Sequence, residues 1–165
     1  MTDFDELARA VDERLLELPV GCDPARCFGV RLRANGFVLV PFWSGVARDM
    51  RYGLTPPDSC VAIALETAGW AAPLDECDEL MPPSVHPHRS RIHATTLVYG
   101  AGDDITVMRT EDGPPELMRG GVGVVAQLLR ACWAARRTAE NEVPSTRRPT
   151  TAPRRSARPS RPDQS

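Results

Sequence analysis

Six side chains are the first place where this sequence could do chemistry. In the run CFGVRLR, Arg31 and Arg33 lie two apart, so on an extended strand they point to one side. In RSRIH, Arg89, Arg91 and His93 repeat that spacing, and Arg109 falls on the run expected to pair with it. If these strands share a face, five guanidiniums and an imidazole line one surface. Planar guanidinium forks hold carboxylate or phosphate through paired hydrogen bonds, so such a face suits an anionic partner. The bland alternative is the solvated side of an ordinary antiparallel sheet. His86 and His88, in the loop before these strands, form a second candidate pair. On an extended chain they would face the same way.

Other constellations are weaker. Gly121-Val-Gly123-Val-Val-Ala126 has the letters of a dinucleotide fingerprint. That fingerprint needs a strand directly before it, and DGPPELMRGG does not read as one. Cys22 and Cys27 are separated by four residues, the long end of zinc-pair spacing, but no matched second pair exists. No metal or cofactor is therefore expected. Gly-x-Ser-x-Gly is absent, and neither Ser44 nor Cys60 carries a partner signature. The acids of DECDE at 75–79 read as a solvated loop. Trp133 belongs to a helix stripe, while Trp43 and Trp70 end strands. With 5% aromatic residues, a base-stacking surface is not expected.

The elements that must position these residues follow from periodicity. Phe4, Leu7, Ala8, Val11, Leu15 and Leu18 make one apolar helical face, capped by Asp3 and stopped by Pro19 and Gly21. Asn35-Gly36 between CFGVRLR and FVLVPF predicts a hairpin with a type I′ turn. Pro41 marks the second of these strands as an edge or its end. CVAIALETAGW alternates with period two and is read as a strand, although helical spacing also fits. Residues 71–90 form a long connection with four Pro. RIHATTLVY and ITVMRTE form a second hairpin around Gly100–Asp104, and a last helix runs from about Gly121 to Ala139. The expected fold is α+β: a mainly antiparallel sheet of two hairpins and an extra strand, with both helices covering one face.

The 165 residues divide into a single domain over 1–140 and a tail over 141–165. The tail is rich in Arg, Pro, Ser and Thr and lacks large apolar residues, so disorder is expected there. All twenty basic residues are Arg, which with the Ala and Pro content points to a GC-rich, bacterial or phage genome. The net charge of −2 conceals a split. Residues 1–135 hold 12 Arg against 19 acids, and residues 136–165 hold 8 Arg against 3. The body is thus at −7 and the tail at +5. Five Cys, an odd number, with no leader-like apolar start, fit reduced thiols and a cytoplasmic address. No run approaches the length of a membrane span.

Three functions remain open. The preferred one is a small non-enzymatic interaction or regulatory module with a protein partner. The second is an enzyme of unrecognised chemistry, with a site between the 71–90 loop and the sheet. The third is weak, sequence-independent polyanion binding through tail residues Arg147, Arg148, Arg154, Arg155, Arg158 and Arg161.

Overall fold

A computed structural model describes residues 3–19, 24–46, 49–50, 54–71, 83–111, 113–121 and 124–142. Cys22, Cys77, the acids at 75–79 and the six tail arginines from Arg147 to Arg161 lie outside the described residues.

The chain opens with helix α1, Phe4–Leu16, whose Asp3 side chain accepts from the backbone N–H groups of Asp5 and Glu6 as an N-cap. Strands β1 (Ala25–Arg33) and β2 (Gly36–Gly45) form the first hairpin. Its two turn residues are Ala34 and Asn35, and neither has a positive φ; Gly36 does, as the first residue of β2. The type I′ expectation is therefore corrected, although the hairpin forms where expected. Strand β3 (Ala62–Ala71) follows, and the strand reading of this run is the right one. Strands β4 (Ser90–Tyr99) and β5 (Asp103–Thr110) make the second hairpin around Gly100, Ala101 and Gly102.

A sixth strand, β6 (Glu116–Arg119), corrects the expectation that no strand precedes the Gly121–Ala126 run. It lies within DGPPELMRGG and pairs with β5 in antiparallel register. Four residues flanked by Pro-Pro and Gly-Gly carry too little pattern to read, and only the β5 edge makes them a strand. Helix α2, Val124–Glu142, ends the described chain three residues beyond the expected stop. No helix among the described residues is long and apolar enough to cross a membrane.

All pairings are antiparallel, in the order β2-β1-β3-β4-β5-β6, so β2, with Pro41, is an edge strand. The two helices lie on opposite faces, not together on one. Leu7, Ala8, Val11 and Leu15 of α1 pack against Phe28, Val30, Ala62, Ala64, Leu97, Ile105 and Val107. Leu129 and Trp133 of α2 pack against Ala25, Cys27, Ile63, Leu65 and Val98. Alternate residues of β3 thus enter opposite cores. That is why Ala62, Ile63, Ala64 and Leu65 are all buried, and why the run blurred its own periodicity.

Candidate functional site

Helix α1 is too short to cover its whole face. At about 1.5 Å per residue its 13 residues span about 20 Å, and beyond Leu16 the sheet carries charge instead of apolar side chains. Arg26 on β1 stands opposite Glu66 on β3. His93 on β4 stands opposite Ala68 on β3 and Arg109 on β5. Asp12 comes down from α1, fully buried, at a position that the helical period places on the apolar stripe between Ala8 and Leu15.

These groups form a chain of alternating sign. Arg26 Nε donates to Glu66 Oε2 at 2.5 Å, and Glu66 Oε1 lies 3.1 Å from His93 Nε2. His93 Nδ1 stands 3.5 Å from Asp12 Oδ1, an ion-pair contact outside good hydrogen-bond geometry, and it has no other polar partner among the described residues. Asp12 is otherwise fully engaged. Thr95 Oγ1 donates to Oδ1 at 2.7 Å and Arg109 Nε to Oδ2 at 2.6 Å. A buried carboxylate needs such partners, because an unpaired charge in the interior costs several kcal/mol.

The network fixes its own protonation. Contacts with Asp12 and Glu66 outweigh burial and push the His93 imidazolium up to about 9. Burial would raise the Asp12 carboxyl, but hydrogen bonds from His93, Thr95 and Arg109 outweigh it and hold Asp12 below the usual range. Burial likewise opposes Glu66, and His93 and Arg26 again prevail. At neutral pH the ladder is three cations and two anions.

Over this ladder lies a cleft of about 380 Å³, walled by Leu15, Leu16, Leu18, Pro24, Ala68 and Ile92 on its apolar side. Arg26, Glu66, Arg91, His93, Arg109 and Glu111 form its polar side. A shallower cleft of about 580 Å³ continues towards the β2 edge, bounded by Pro19, Phe28, Pro41, Phe42 and Trp43. The two share Leu18 and Arg26, so they lie side by side along the exit of α1. Arg26 also holds the exit of α1, its Nη1 donating to the Pro19 carbonyl at 2.9 Å.

The expected basic face is divided by the structure. Arg91, His93 and Arg109 come together at the cleft. Arg89 stacks over Trp70, its guanidinium 5.0 Å from the ring centroid. Arg31 and Arg33 take the parity of Cys27, which packs on the α2 side, so they share neither face nor end with the others. Arg31 Nε donates to the Asp58 carbonyl at 3.0 Å and pins the approach to β3, and Arg33 is exposed beside the hairpin turn. His86 and His88 do not lie on an extended segment. His86 is buried, its Nδ1 accepts from the His88 backbone N–H at 3.1 Å, and the chain turns through Pro87 and His88.

Two anions were missed, although both carried a signal. Asp12 interrupts a helical apolar stripe, and Glu66 continues the parity of buried Ala62 and Ala64. A charge on a buried parity needs a partner, and each has one here.

Among the described residues, the cleft lining contains no Ser or Cys beside His93. Burial raises the Cys27 thiol to about 12 and the Cys132 thiol to about 11, far from the thiolate a nucleophile needs. Among the described residues no three His, Cys, Asp or Glu converge as metal ligands. At the start of α2, the Asp104 carboxylate accepts from the Gly121 N–H at 2.7 Å and pairs with Arg130. An internal anion thus occupies donors that the Gly121–Ala126 fingerprint would offer a pyrophosphate. No family model, curated protein or solved structure matches the chain.

Proposed function

We propose that this chain is a non-enzymatic interaction module that docks a segment of a partner protein in the groove at the end of α1. The observation that carries this reading is the adjacency of the two clefts, which share Leu18 and Arg26 and together reach across β2, β1, β3, β4 and β5. Five strands about 4.8 Å apart span about 19 Å, the length of about six extended residues. The walls join apolar side chains to a few fixed charges, the usual make-up of a recognition site.

The protonation states favour binding over catalysis. A general base works best with a pKa near the operating pH, and His93 is instead held as a cation to about 9. Its neighbours serve it as counter-ions and leave no activated nucleophile in the cleft lining.

Hydrogen exchange on the full chain, with and without a peptide selected on it from a random linear library, tests the proposal. Protection at Leu15–Leu18, Arg26–Phe28 and Arg91–His93 is the expected result. Protection confined to α2, or to β5 and β6, contradicts it.

A further inference from the structure

We infer that the groove is selective for an acidic, apolar segment of a partner protein, with Arg91 as the anchor for its carboxylate. This rests on the docking reading above and adds the chemistry of the occupant.

The polar wall is not evenly satisfied. Arg26 is taken by Glu66, and Arg109 by Asp12. Arg91 lines the same cleft, is exposed, and forms no hydrogen bond or ion pair among the described residues. It stands opposite Trp70, which is 42% exposed and carries Arg89 on its ring. Beside the cleft, Arg91 thus has a cation-capped apolar ring as its cross-strand neighbour, and the exposed Leu16 lies on the cleft wall. Among the described residues of the lining, the carboxylate not already taken is Glu111, just past β5, which makes no ion pair with Arg91. Counting Asp12, four cations face three carboxylates, so the cleft is a local positive site on a body that is negative overall.

That local excess selects the occupant. A guanidinium fork without a partner gains most from a carboxylate brought to it beside apolar surface, where water is partly excluded. The wider field of the acidic body is screened within about 8–10 Å at physiological salt, so it does not decide binding at the contact. The chain's own C-terminal tail is the wrong occupant. Residues 144–165 carry Arg147, Arg148, Arg154, Arg155, Arg158 and Arg161 against the single acid Asp163, and no large apolar residue, so they are strongly basic and poorly apolar.

The test is a selection from a random linear peptide library on four full-length proteins: the parent, Arg91→Glu, Glu111→Gln and Leu16→Arg. All three positions are exposed, and thermal melts confirm that each variant is folded. Parent binders should combine Asp or Glu with large apolar residues. Arg91→Glu should weaken them by about tenfold or more, Glu111→Gln should tighten them, and Leu16→Arg should abolish them. Binders that Leu16→Arg blocks, but that are neutral or basic or indifferent to Arg91→Glu, would overturn the acidic preference and leave the docking groove standing. Binders that ignore Leu16→Arg would overturn both.

Discussion

The two faces of the sheet are each covered by one helix, and they differ in how much charge they hold. On the α1 face, Asp12 and Glu66 meet Arg26, His93 and Arg109 side chain to side chain in a row across the strands. On the α2 face the core is thiol, aromatic and aliphatic: Cys27, Met50, Cys60, Ile63, Leu129 and Trp133. Charge there is sparser: buried Asp104 on β5 pairs with Arg130 of α2, and the next cations along the helix go to backbone carbonyls. Arg136 Nη1 donates to the Cys60 carbonyl at 3.0 Å, and Arg137 to the Gly100 carbonyl. Packing is also closer there, since a Cβ on Gly29 would collide with Cys60 Sγ. The lesson is that a helix which stops short leaves a polar end to its face. The charges that fill that end are where a groove can open.

Breaking the ladder should produce the largest effect. Asp12→Ala strands Arg109 and His93 and should cost about 3–5 kcal/mol by denaturant unfolding. Adding Arg109→Met should recover part of that loss. Ordinary core truncations should make the two faces alike. Leu15→Ala on one and Leu129→Ala on the other should each cost about 2–5 kcal/mol, since both side chains are fully buried.

The faces should also separate by pH. His93 has a folded pKa of about 9, above its ordinary 6.5. Its contribution is therefore fully present below about 6.5 and is lost as pH rises through about 9, at most about 3 kcal/mol. His93→Gln should flatten that slope. Cys27 and Cys132 ordinarily titrate near 9 and are raised to about 12 and about 11, so the α2 face should lose stability only above pH 9. In acid the order is reversed. Asp12 and Glu66 are depressed, so the contribution of the α1 ladder is lost as pH falls below the ordinary carboxylate range. The smallest effect belongs to the solvent side of α1, where Glu13→Ala should change stability by under about 0.5 kcal/mol.

Local signals in the sequence were sound guides to elements. Asp3 caps α1, Ala34-Asn35-Gly36 reverses the chain, and period two over 62–71 makes β3. What depends on distant partners was harder to read. Arg31 and Arg91 have the same local spacing pattern, and only the strand register sends them to opposite faces. The helices were expected on one face because β3 looked like a strand with one buried side. Its fully buried Ala62–Leu65 run in fact called for a cover on both. His93, Arg91 and Arg109 were legible as candidates. Their anionic partners were not, because Asp12 lies 83 residues from Thr95 and 97 from Arg109 in the chain.

The most direct measurement is the pKa of His93 itself, followed by NMR through its imidazole resonances in the full chain, with His93→Gln to assign them. A value near 9 is expected, with the protonated ring between Asp12 and Glu66 throughout the physiological range. A value near or below 6.5 would contradict the locked ladder, and would make His93 a base poised for catalysis in the same cleft.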